Sequence, residues 1–134
     1  MNHFKLTPRA GFLSSSPTVG IGYAAGAGGA VTQQTNRTTG VTLNTITGTI
    51  TTNNASLAAE VSANFTVINS TVAIRDTVVV SIQSGSDGGN TAVSVNTVAA
   101  GSFVIKVANH NAALGTAETG AILINYAVVK AVST

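Results

Sequence analysis

Residues 65–83 read FTVINSTVAIRDTVVVSIQ, two runs of strand-forming residues divided by the charged pair Arg75-Asp76. In the first run Phe65 and Val67 share one face of a period-two strand and Thr66 and Ile68 the other, while in the second Val78, Val79 and Val80 are apolar without alternating. A strand that is apolar on both faces needs cover on both faces. Residues 121–132, AILINYAVVKAV, make the same demand. A parallel sheet meets it with helices on either side, but this chain has no helical pattern long enough. One face is therefore expected to pack on an opposing sheet and the other on a second subunit, with Val79, Ile124, Tyr126 and Val128 at the oligomer interface.

Composition supports that expectation. Only 7% of the 134 residues are Asp, Glu, Lys or Arg, against about a quarter in an ordinary soluble protein. A surface of Thr, Ser, Asn, Gly and Ala offers little charge repulsion against association, which favours a permanent homo-oligomer. The net charge of +2 comes from six scattered cations. They form no stripe, so nucleic acid is not an expected partner. No stretch approaches the roughly 20 apolar residues of a membrane span, so no membrane partner is expected. The run 14–18, SSSPT, interrupts any apolar core of a secretory signal. With no Cys there is no disulfide framework and no thiolate ligand, and aromatics at 4% leave the core to Val, Ile, Leu and Ala. The length suits one domain able to bury a sizeable core.

Along the chain, residues 1–30 read as an extended, Gly-rich N-terminal arm. Pro8 and Pro17 forbid a continuing helix, and GIGYAAGAGGA offers few side chains to pack. Residues 31–134 read as a β-domain. Val41 and Leu43, then Ile46, Gly48 and Ile50, alternate in two runs whose phase slips at Thr45, as a β-bulge would produce. Asn53-Asn54 marks a turn, and residues 55–61 are either a two-turn helix or the lead-in to a strand at 63–69. SGSDGGN at 84–90 is a strong loop signal, and Ala99-Ala100-Gly101-Ser102 joins two alternating runs at hairpin spacing. Six to eight short strands describe an all-β fold, an antiparallel β-sandwich or jelly-roll-like barrel.

The residues that could carry chemistry are few. His3 and His110 are the only imidazoles, the acids Glu60, Asp76, Asp87 and Glu118 are far apart in sequence, and no Gly-x-Ser-x-Gly elbow is present. No catalytic residue, metal ligand or cofactor site is assigned. Residues 85–90 could offer oxygens to Ca²⁺, but one carboxylate is weak for that ion and a hairpin loop is the simpler reading. Arg75 and Asp76 are read as an exposed turn pair. The Asn-x-Ser/Thr sequons at Asn36, Asn54, Asn64 and Asn69 are expected by chance in a chain so rich in Asn and Thr.

Four stretches carry a resemblance: Gly22-Tyr23-Ala24-Ala25-Gly26-Ala27-Gly28-Gly29-Ala30-Val31-Thr32-Gln33, Thr38-Thr39-Gly40-Val41-Thr42-Leu43-Asn44, Phe65-Thr66-Val67-Ile68-Asn69-Ser70-Thr71-Val72 and Asn125-Tyr126-Ala127-Val128-Val129-Lys130. Together they resemble a group of small virion proteins of tailed bacteriophages and prophages. The resemblance implies a non-enzymatic structural protein at the capsid surface, a decoration or cement protein bound to the major capsid protein as a homotrimer. In that setting Phe4, Leu6 and Phe12 of the arm would fill shallow apolar pockets of the capsid and Lys5 and Arg9 its acidic surface. The alternative is a tail or tail-fibre component whose loops at 85–90 and 109–120 meet a host receptor.

Overall fold

The computed structural model describes residues 15–131, which build eight strands and no helix. The strands are β1 (Gly28–Thr32), β2 (Val41–Thr42), β3 (Thr47–Thr51), β4 (Ser62–Ile68), β5 (Thr77–Ser84), β6 (Thr91–Ala99), β7 (Ser102–Asn109) and β8 (Leu123–Val129). Sheet I has the order β1-β3-β8-β5 and sheet II the order β2-β4-β7-β6. The all-β sandwich read from the sequence is the observed class.

The chain alternates between the sheets. Each connection crosses from one to the other except β6–β7, the hairpin at Gly101. Two successive crossings return the chain to its first sheet running the same way, so β1 pairs parallel with β3 and β2 parallel with β4. The remaining pairs are antiparallel. The sandwich is thus mixed, where an antiparallel sandwich or jelly roll was expected. The phase slip at Thr45 has the same origin: residues 43–46 carry the chain from sheet II to sheet I, so no bulge is needed there. The bulges lie in β5 between Ile82 and Ser84 and in β6 between Val95 and Thr97. Residues 55–61 form no helix. Leu57 instead makes an isolated bridge to Glu118 before the chain enters β4.

Alternation builds the core. Phe65 and Val67 of β4 and Phe103, Ile105 and Val107 of β7 face Ile124, Tyr126 and Val128 of β8, with Ile50 of β3 among them. Burying each such side chain contributes about 1.5–3 kcal/mol before entropy is counted. The Phe103 and Tyr126 rings meet across the two sheets with centroids 5.4 Å apart and planes tilted by 55°, a geometry favoured by the ring quadrupoles.

Candidate interaction surface

The outer face of sheet I follows from the same period. Where Ile50, Tyr126 and Val128 point in, their strand neighbours point out. The pairing registers line these up in rows: Gly28, Thr47, Ala127 and Val79; then Ala30, Thr49, Asn125 and Ser81; then Thr32, Thr51, Leu123 and Ser84. No charged side chain stands in them. Small residues leave a groove of about 430 Å³ over Gly28, Thr47, Thr49 and Ala127, walled by Val79, Ser81 and Asn125. Val79 and Val129 are half exposed, at 52% and 54%.

A strap from the N-terminal side meets this face. The Tyr23 hydroxyl donates to the carbonyl of Val128, which fixes residues 21–23 beside β8. Ile21 and Tyr23 with Ala127, Val129 and Lys130 line a second groove of about 330 Å³, and Ala127 belongs to both. Ile21 and Val19 remain 83% and 65% exposed. Ile21, Val79 and Val129 thus leave three β-branched apolar side chains uncovered near one face. Grouped exposure of this kind marks contact surfaces, where single exposed valines do not.

The expected oligomer interface is corrected by this geometry. Of its four residues only Val79 is on the outer face. Ile124, Tyr126 and Val128 are buried between the sheets of their own chain, because alternate residues of a doubly apolar strand serve different layers. The outward partners on the same strand are Ala127 and Val129. The expected capsid-contact residues Phe4, Lys5, Leu6, Arg9 and Phe12 lie outside the described residues, as does His3. Residues 28–30, assigned to the arm from the sequence, are the first half of β1.

Two charged centres were not anticipated, and both are internal. The Glu118 carboxylate is fully buried and accepts from Ser86 Oγ at 2.6 Å, from Thr91 Oγ1, and from the backbone N–H groups of Asp87 and Gly88 at 3.0 Å and Gly120 at 2.8 Å. Burial alone would raise its pKa, but the hydrogen bonds from Ser86, Thr91 and the Asp87 backbone win and hold it far below the usual carboxylate range. Beside it Arg37 donates to Ala55 O, to Thr52 Oγ1 at 3.3 Å, and to the carbonyls of Glu118 and Gly120 at 3.2 and 2.9 Å. Burial lowers the Arg37 pKa from its ordinary value, opposed by the charges of Glu118 and Asp87. Chain packing is tight: a Cβ on Gly120 would stand 1.9 Å from the Gly85 carbonyl, and Gly85 itself has φ +84°. Only glycine fits either place.

Loop 85–90 is therefore a crossover wrapped around Glu118, where a hairpin loop was expected. Asp87 is committed as well, accepting from Thr119 and the Gly120 N–H. Asp76, read as exposed, is covered and pairs with Lys130 Nζ. The hydrogen bond from Lys130, with those from the Ala73 and Ala131 backbone, brings its pKa down to about 2. Among the described residues no three His, Asp or Glu side chains converge as metal ligands would. Asn69, one of the sequons, is fully buried with its amide donating to Thr45 O.

Comparison with family models, with curated proteins and with solved structures finds no match to this chain.

Proposed function

We propose that this chain is a non-catalytic structural subunit of a tailed-phage particle, a capsid decoration protein that acts by burying surface. The observation that carries the reading is the charge-free outer face of sheet I, with Val79, Val129 and Ile21 left uncovered around it. In this reading three copies meet through that face as a homotrimer. Small side chains let the backbones approach closely, and the absence of charge removes any desolvation cost of ion pairs. The arm, through Phe4, Lys5, Leu6, Arg9 and Phe12, binds the major capsid protein. The resemblance of four sequence stretches to phage virion proteins supports the setting, and sheet I supports the mode of assembly.

Light scattering of the untagged protein tests the assembly. A native mass of three times 13.3 kDa is expected. The double variant Val79→Asp with Val129→Asp, placing charges on exposed positions, should be monomeric with an unchanged β-sheet spectrum. A wild-type monomer at micromolar concentration, or a variant that remains trimeric, refutes sheet I as the interface. Co-sedimentation with expanded capsids then tests the setting, and absence of binding rejects the decoration role.

A further inference from the structure

In a chain with so few charges, where each one goes is informative. Among the described residues, Arg37, Glu118 and Asp87 are spent on the crossover end of the sandwich, and Asp76 is paired with Lys130. Arg75 is engaged too. That leaves Glu60, Lys106 and His110, whose side chains make no hydrogen bond or ion pair, and all three line one groove of about 330 Å³ where β4 begins and β7 ends in the middle of sheet II.

The groove is a fixed frame. Asn109 N–H donates to the Val61 carbonyl at 3.0 Å, tying its two walls together, and His110 is held by two hydrogen bonds between its backbone and Asn90, each 2.9 Å. Lys106 is half-buried on the outer face of β7, across from Asn64 of β4. Glu60 sits at φ +62°, a left-handed conformation that glycine adopts freely and glutamate does not. A strained position is thus occupied by one of only four acids in the chain. Ser62 shares the lining, and Val61 and Ala108 add a small apolar wall.

We propose that this groove binds an acidic sugar, a hexuronate either free or at the end of a saccharide chain. The ligand carboxylate meets the Lys106 ammonium and the His110 ring. The ring hydroxyls donate to the Glu60 carboxylate, which can accept two at once. A hydroxyl-rich ligand suits a lining that is mainly polar, and its C–H face lies on Val61. The site is independent of the assembly reading: it lies on sheet II and stands whether or not the protein meets a capsid.

The test is titration of the full ¹⁵N-labelled chain with glucuronate and with a glucuronate-ended oligosaccharide, using glucose, acetate and glycine as controls. Saturable amide shifts confined to residues 60–62 and 106–110 are expected, with glucose and acetate at least tenfold weaker. Comparable affinity for the two acidic ligands assigns the free sugar, and much tighter oligosaccharide binding assigns the chain end. Lys106→Met and His110→Gln should each weaken glucuronate about tenfold or more. Glu60→Gly separates binding from folding: it relieves the left-handed strain and should raise Tm while weakening the sugar. Equal shifts from glucose or acetate, tighter binding of glycine, or undiminished binding by Lys106→Met and His110→Gln would overturn the proposal.

Discussion

The two ends of the sandwich solve one problem by different means. At one end four crossovers, β1–β2, β3–β4, β5–β6 and β7–β8, pass over the core, and at the other only β2–β3 and β4–β5 do, the β6–β7 hairpin staying within sheet II. The first end is tied by two buried charges of opposite sign. The second is tied by neutral groups: the Tyr126 hydroxyl donates to Thr45 O at 2.8 Å and accepts from Asn69 Nδ2 at 3.2 Å. The ion pair of Asp76 with Lys130 lies at its rim. The difference follows from how many backbone groups the loops leave without a ladder partner. A carboxylate and a guanidinium accept and donate more hydrogen bonds than any neutral side chain, so the end with four crossovers uses them. Arg37 reaches the backbone carbonyl of Glu118 and not its carboxylate, so both charges hold loops and only secondarily attract one another.

That contrast can be broken most severely at Glu118. Replacing it with Ala strands four donors, since the Gly120 N–H keeps Asp87, and leaves Arg37 only the more distant charge of Asp87; it should cost about 3–5 kcal/mol in chemical denaturation. A loss below about 1 kcal/mol would mean that the carboxylate does not organise the end. Adding Arg37→Met to this variant should cost less than the separate effect of Arg37→Met, because its neighbour is already gone. At the neutral end, Tyr126→Phe keeps the ring in the core and removes only the hydroxyl, leaving Asn69 and Thr45 short of a partner. It should cost about 1–3 kcal/mol, and a cost equal to that of Glu118→Ala would erase the distinction.

The smallest effect is at the rim and fades in acid. Asp76 is held at about 2, below the roughly 3.9 of an unfolded aspartate. A depressed folded pKa means that its contribution is complete above about pH 4 and is lost as the pH falls through about 2. Lys130→Met removes the leading cause of the depression. It should lower the denaturation midpoint slightly at neutral pH, with the difference from wild type closing as the pH falls through about 2, and an unchanged neutral-pH midpoint would show that the Ala73 and Ala131 amides suffice without it.

The core strands and the β6–β7 hairpin were legible in the sequence, and the side-chain ties at either end were not. Phe65 and Val67, and Phe103, Ile105 and Val107, announce their inward faces by period-two spacing, and Ala99-Ala100-Gly101-Ser102 announces its hairpin. Arg37 and Glu118 sit in polar loops 81 residues apart with no local pattern about them, and only the closed fold brings them together. The parallel pairs were hidden because strand direction depends on the path between strands, not on the strands' own residues. Ile124, Tyr126 and Val128 were assigned to a partner since a doubly apolar strand does not say which of its faces meets its own core. The open side had a trace: Thr47, Thr49 and Thr51 alternate with Gly48 and Ile50, a hydroxyl row on one face of β3.

The alternation of the chain between sheets bears on how it folds. A meander can zip locally, each hairpin templating the next, but here only β6 and β7 are joined that way. Every other pair unites strands brought together across at least one excursion to the opposite layer, and β3 must wait for β8, more than seventy residues downstream. Such a chain has a high contact order, pays its loop-closure entropy before the rewards arrive, and belongs with β-proteins that fold in milliseconds to seconds rather than microseconds. Neither layer is a stable half-product. On a ribosome the first six strands would emerge without the two central ones that complete their sheets, and the native topology becomes accessible only when β8 has been released.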